Sequence, residues 1–228
     1  MPSTINHLQC SRPACGRVVP YSSLQNVCPT CSSPLLARYD LSVAKRTLTL
    51  DALCTRSRTM WRYEEVLPGA PPVTLGEGMT PLIHSGRLGE RMGLSNFYIK
   101  DEGLNPTASF KARGLSAAVT MAKALGAKTL ALPTAGNAGG AAAAYAAKAG
   151  LGCVIAMPAD TPMANIMESR AFGADVRMID GLISDCGKFI ADNKTKEGWF
   201  EVSTLKEPYR VEGKKTMGYE LWEEFGGR

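Results

Sequence analysis

Lys128-Thr129-Leu130-Ala131-Leu132 runs through Pro133-Thr134-Ala135-Gly136-Asn137 straight into Ala138-Gly139-Gly140-Ala141-Ala142-Ala143-Ala144-Tyr145-Ala146-Ala147-Lys148. The first run has the length and apolarity of a buried strand. The last is rich in the best helix former, and Gly150 beyond it marks the stop, where a helix end favours φ > 0. Between them, small residues expose successive backbone N–H groups at a helix start. That is a cradle for an anion such as a carboxylate, although a Gly-rich helix start alone has the same texture.

The unit recurs in both directions. Upstream, Phe97-Tyr98-Ile99-Lys100 reads as a strand and Phe110 to Leu125 as a helix stopped at Gly126. Downstream, strands over Cys153 to Met157, Val176 to Ile179 and Trp199 to Val202 alternate with helices over Met163 to Phe172, Leu182 to Asn193 and Val211 to Phe225. Gly173 closes the first of these helices. The alternation predicts an α/β fold, an open and mostly parallel sheet with helices on both faces. Three zones follow: 1–41, punctuated by Cys and Pro, 42–80, a turn-rich connector, and 81–228, the α/β region. A closing helix with no strand after it leads us to expect a fragment of a longer protein.

Composition narrows the class. The chain has 228 residues, 45% hydrophobic and 21% charged, which excludes a disordered tail and supplies a core. The net charge of +5 is spread out, and no charge run exceeds Lys214-Lys215. Residues 8–40 carry only Arg12, Arg17 and Arg38 as cations, a poor footprint for nucleic acid. No stretch is long and apolar enough for a membrane span, and the first residues show no export signal. The expected setting is cytoplasmic, with neither nucleic acid nor membrane as partner.

Four of the seven cysteines, Cys10, Cys15, Cys28 and Cys31, form two close pairs near the N-terminus. Thiolates favour tetrahedral zinc, and two short knuckles bring four sulfurs to one point. A structural zinc ribbon is the first reading and a vestigial ribbon with unpaired thiols the second. Four thiolates leave no open position for a catalytic metal.

Asn105-Pro106-Thr107-Ala108-Ser109-Phe110-Lys111-Ala112-Arg113-Gly114 leads from a strand end, through a Pro-fixed turn, to a helix start. Carboxyl ends of strands are where open α/β sheets bind ligands. In the first helical turn, the positive end of the helix dipole disfavours the ammonium form of Lys111 and favours an amine fit for Schiff-base chemistry. A lone lysine would count as a solvated one; paired with the asparagine loop it belongs to a constellation.

These two segments closely resemble the lysine motif and the asparagine loop of the fold-type II pyridoxal-phosphate enzymes. Within them the chain is similar to the threonine synthase family. Leu75-Gly76-Glu77-Gly78-Met79-Thr80-Pro81-Leu82, the cysteine leader and Glu212-Gly213-Lys214-Lys215-Thr216 carry that narrower likeness. The resemblance implies a lyase that uses pyridoxal 5'-phosphate (PLP) to convert O-phospho-L-homoserine and water to L-threonine and phosphate. It implies that Lys111 holds the cofactor through its amine and then moves protons. Asn137 would hydrogen-bond the cofactor ring, Phe110 would pack near it, and backbone groups of Thr134, Ala135, Gly136, Asn137 and Ala138 would take the substrate carboxylate. Arg210, in Pro208-Tyr209-Arg210, would contact the substrate phosphate. Two departures stand out: Thr204 and Leu205 replace an Asn-Ser pair frequent in the family, and Ala135 replaces a small hydroxyl residue. The family's Gly-rich cofactor-phosphate loop and its pyridine-nitrogen partner would lie beyond Arg228. The expectation is therefore a chain inactive alone and a homo-oligomer when full length, with an amino acid as substrate. A threonine dehydratase or a cysteate-synthase-like enzyme is the alternative, and a zinc-ribbon binding module the third reading.

Overall fold

In a computed structural model, which describes residues 3–227, the cysteine-rich leader is a small antiparallel sheet. Strands β1 (Ile5–Cys10), β2 (Val18–Val19) and β3 (Leu35–Tyr39) lie in the order β2-β1-β3. Helices α1 (Leu41–Thr47) and α2 (Leu50–Cys54) and a 3-10 run over Met60–Val66 follow. These occupy the stretch read as a connector. Their start signals are present: the Asp40 carboxylate accepts the amides of Ser42 and Val43, and the Thr49 hydroxyl accepts that of Ala52.

Strand β4 (Leu82–His84), helix α3 (Gly86–Met92) and strand β5 (Tyr98–Lys100) come next. Here the structure corrects one expectation. Strand β5 pairs antiparallel with β4 in a separate two-stranded sheet and is not part of the parallel sheet. It is three residues long, with Tyr98 and Ile99 exposed, so it lacks the doubly buried character that a parallel sheet demands.

The parallel sheet begins after helix α4 (Lys111–Ala124). Strand β6 (Thr129–Pro133), helix α5 (Ala138–Ala149), strand β7 (Gly152–Pro158), helix α6 (Met163–Ala171), strand β8 (Asp175–Ile179), helix α7 (Ile183–Glu197) and strand β9 (Trp199–Glu201) lead to helix α8 (Arg210–Glu224). The strand order is β8-β7-β6-β9, all parallel. Side chains alternate between faces with the period of two that strands impose. Leu130, Leu132, Cys153, Ile155, Met157, Phe200 and Val202 join the core built with α4, α5 and α6. Ala131, Val154 and Ala156 meet Cys186 and Ile190 of α7 on the other face. Gly126 and Gly150 take φ of 89° and 72°, as their cap positions require.

Two contacts fix where the helix starts sit. Helices α4 and α8 cross at Gly114 and Gly213, where a methyl on Gly213 would overlap the Arg113 carbonyl. The leader docks on β9 and the loop that leads into α8: Asn26 Nδ2 donates to the carbonyls of Glu201 (2.7 Å) and Lys206 (2.8 Å), and Tyr209 OH donates to that of Tyr21.

Candidate active site

Lys111 is the first residue of α4, reached through a loop held by a buried ionic network. The Arg113 guanidinium is completely buried. It donates from Nε and NH2 to Glu102 at 2.7 Å each, and to Glu220 of α8. Thr80 and Thr216 supply further oxygens to it. Burial alone would raise the carboxyls of Glu102 and Glu220, yet their hydrogen bonds and charge pairing with Arg113 outweigh it and hold both below the usual carboxylate range. A buried charge triad of this kind is costly to break, so it pins the Lys111 loop, α4 and α8 together.

The Lys111 amine lies 3.6 Å from the centroid of the Phe110 ring, and the Lys214 amine approaches the same ring at 5.8 Å. No carboxylate pairs with Lys111 among the described residues. Burial, then the charges of Lys214 and Arg210, pull its ammonium below the ordinary lysine value. A half-buried, carboxylate-free lysine beside two other cations is chemically fit to serve as a carbonyl-condensing amine.

Arg210 opens α8 and is 2% exposed. Its NH1 donates to the Val202 carbonyl at 2.8 Å, while its Nε has no partner. No carboxylate lies at ion-pair distance from it among the described residues. An unpaired buried guanidinium is a standing demand for an anion. The close approach of α4 and α8 thus gathers Phe110, Lys111, Arg210 and Lys214 into one cationic cluster.

The asparagine loop occupies the carboxyl end of β6. Thr134 is buried and its hydroxyl accepts the Gly136 amide at 3.2 Å, curling the loop. Gly139 donates to the Gly136 carbonyl, and the Asn137 side chain makes no cap hydrogen bond and is exposed. Ala135 is exposed, with its carbonyl 3.4 Å from Asn165 Nδ2 of α6. Asn137 makes no hydrogen bond to Lys111; the two segments are joined through the packing of α4 on α5. Sequence reasoning missed Asn165, Lys214 and the Arg113 triad. Only Lys214 carried a signal, one turn into a helix whose start holds Arg210.

Cys10, Cys15, Cys28 and Cys31 converge, with all four sulfurs within 4.8 Å of one another and no disulfide among them. The pairs Cys10–Cys31 and Cys15–Cys28 stand 3.5 and 3.8 Å apart. Sulfurs at ~2.3 Å from a tetrahedral zinc lie ~3.8 Å from each other, so the donor set fits that metal.

The family of proteins described as pyridoxal-phosphate dependent enzymes matches residues 73–228. The chain belongs to the pyridoxal-phosphate dependent enzymes. Within this family it is 36% identical over 217 residues to a threonine synthase of Methanosarcina acetivorans, covering 94% of this chain and 52% of that protein. It is 37% identical over 177 residues to one of Halalkalibacterium halodurans, covering 74% of this chain and 49% of that protein. The chain spans about half the length of the curated relatives it matches. Among solved structures, an O-ureido-L-serine-bound mutant of O-ureido-L-serine synthase aligns with a TM-score of 0.61 at 27% identity, over 71% of this chain and 52% of that one. The processed form of threonine deaminase isoform 2 from Solanum lycopersicum aligns with a TM-score of 0.60 at 24% identity, over 91% of this chain and 53% of that one, and shares the fold. Among the described residues of this pyridoxal-phosphate dependent enzyme, no helix is long and apolar enough to cross a membrane.

Proposed function

We propose that the full-length protein is a lyase that converts O-phospho-L-homoserine and water to L-threonine and phosphate. The observation that carries this reading is Arg210, a buried guanidinium with an unpartnered Nε, beside a lysine whose ammonium is disfavoured. A phosphate leaving group needs such a cation, and an uncharged substrate does not. PLP, when bound, supplies the electron sink for carbanion chemistry on the amino acid. Lys111 would hold it through Nζ and would move protons at that atom, Phe110 would pack near its ring, and Asn137 would hydrogen-bond it. The curled Thr134–Ala138 backbone takes the substrate carboxylate, and Arg210 takes the phosphate and orients the bond to be broken. In this reading Cys10, Cys15, Cys28 and Cys31 hold a structural zinc. The chain divides into a zinc-ribbon-like module (1–41), a connector (42–80) and the catalytic region (81–228). The protein works in the cytoplasm as a homo-oligomer on a small amino-acid substrate.

A second reading, an elimination on an uncharged amino acid, draws on Thr204 and Leu205. Leu205 is exposed at a φ of 61° and brings no polar group to the loop before Arg210. Arg210→Ala in the full-length enzyme separates the two. A charge-assisted contact contributes ~1.5–3 kcal/mol, so kcat/KM for phosphohomoserine is expected to fall ~10–150-fold. Turnover of serine or threonine should change far less. Equal losses on both substrate types would make Arg210 structural and move the second reading ahead.

A further inference from the structure

Glu207 lies on the loop from β9 to α8 and is 2% exposed. Its Oε2 accepts the Tyr209 amide and its Oε1 the Arg210 amide, both at 2.7 Å. A helix start offers such amides to a capping side chain or to an outside anion; here an internal carboxylate has taken them. A ligand anion is left with the Arg210 guanidinium, which shares this buried space with the Glu207 charge without forming an ion pair. Resting on the reading that Arg210 receives the substrate phosphate, we propose that Glu207 balances the charge of this anion site, taking up one proton from solvent when a doubly charged oxyanion binds at Arg210.

The balance is a single protonation: the carboxylate becomes a carboxylic acid, no other bond changes, and its carbonyl oxygen remains an acceptor for one helix amide. The driving force is repulsion between two anions in a poorly solvated space, where two neighbouring negative charges cannot both persist cheaply. The neighbours are few. From α8, Arg210, Tyr209, Glu212 and Lys214 act on Glu207 or feel its charge. From α4, Lys111 faces Arg210 and Lys214. Tyr21 of the leader faces Tyr209, and Glu201 of β9 is engaged by Lys194 of α7. Burial already pushes the Glu207 carboxyl up to about 7, against the two amides and Arg210, which pull it down. An added anion therefore shifts its protonation within the neutral range.

Sulfate is the probe, because it stays a dianion throughout that range. Calorimetric titration of this chain with sodium sulfate, in buffers of differing ionisation enthalpy, counts the protons taken up. The expected result is uptake approaching one proton per sulfate at pH 8, and an affinity about tenfold weaker at pH 8 than at pH 6. Glu207→Gln, which keeps an acceptor oxygen for the helix, should abolish the uptake and flatten the pH profile. Arg210→Ala should abolish binding. Arg210-dependent binding without proton uptake, or uptake that persists in Glu207→Gln and so belongs to Lys111 or Lys214, would overturn the role of Glu207 and leave the anion site standing. No Arg210-dependent binding at all would overturn the anion site, and Glu207's role with it.

Discussion

Replacing Gly213 by alanine sets two known effects against each other. In a helix interior alanine is favoured over glycine by about 0.8–1.0 kcal/mol, so propensity alone predicts a more stable protein. At Gly213 the new methyl would overlap the Arg113 carbonyl oxygen, and lie 2.6 Å from its carbon and 3.0 Å from the Gly114 Cα. All three are backbone atoms of α4, so no side chain can swing aside. The helices would have to separate, and the Arg113 bonds to Glu220 and Thr216 span that gap. Overpacking of this kind costs ~1–3 kcal/mol or more, before any loss from the buried triad. The packing cost exceeds the propensity gain. Gly218 on the same helix is the control, since nothing lies within 4 Å of a methyl there. For a chain of this size ~1 kcal/mol moves Tm by roughly 2–4 °C. Thermal unfolding followed by circular dichroism should show Gly213→Ala several degrees below the parent and Gly218→Ala at or slightly above it. A Gly213→Ala protein as stable as Gly218→Ala would refute the claim that backbone contact between α4 and α8 organises the site.

Two further outcomes are expected. The lowered Lys111 value means its neutral amine appears at lower pH than in an ordinary lysine. Acetylation rates mapped by mass spectrometry across pH should therefore place the Lys111 midpoint below the ordinary lysine range, and Lys214→Met, which removes a like charge, should move it back up. Purified protein should contain one zinc per chain; chelation or Cys28→Ser should lower Tm, whereas a zinc-free preparation with four titratable leader thiols and an unchanged Tm would reject the ribbon site.

From Phe110 onward the sequence is legible because its punctuation is local. Gly126, Gly150 and Gly173 take positive φ where the helices stop, and apolar runs of strand length sit between them. The leader strands and α1, α2, β4 and α3 were harder to read, being too short for either period to accumulate. The caps at Asp40 and Thr49 were the available signal. The misplacement of β5 has the same origin, since three half-exposed residues do not reveal their pairing partner. Lys111 and the asparagine loop stand out because each follows a turn and starts a helix. The partners that tune them do not. Glu220 lies 107 residues from Arg113, and the pairing of the two helix starts depends on a crossing that only Gly114 and Gly213 permit.

The strap from Asn26 to the Glu201 carbonyl joins residues 175 positions apart. At a synthesis rate of ~5–20 residues per second, Asn26 waits roughly 9–35 s for its acceptor to be made. The cysteine cluster, by contrast, is complete once Cys31 has been added. Met121 and Tyr209, which cover the apolar side of the leader, arrive only after it. A metal bound early would give the leader a fixed shape during that interval, when an unsupported three-stranded sheet would stand open to wrong partners. A metal-bound leader would then act as a timekeeper: a finished surface onto which β9 and the loop before Arg210 close.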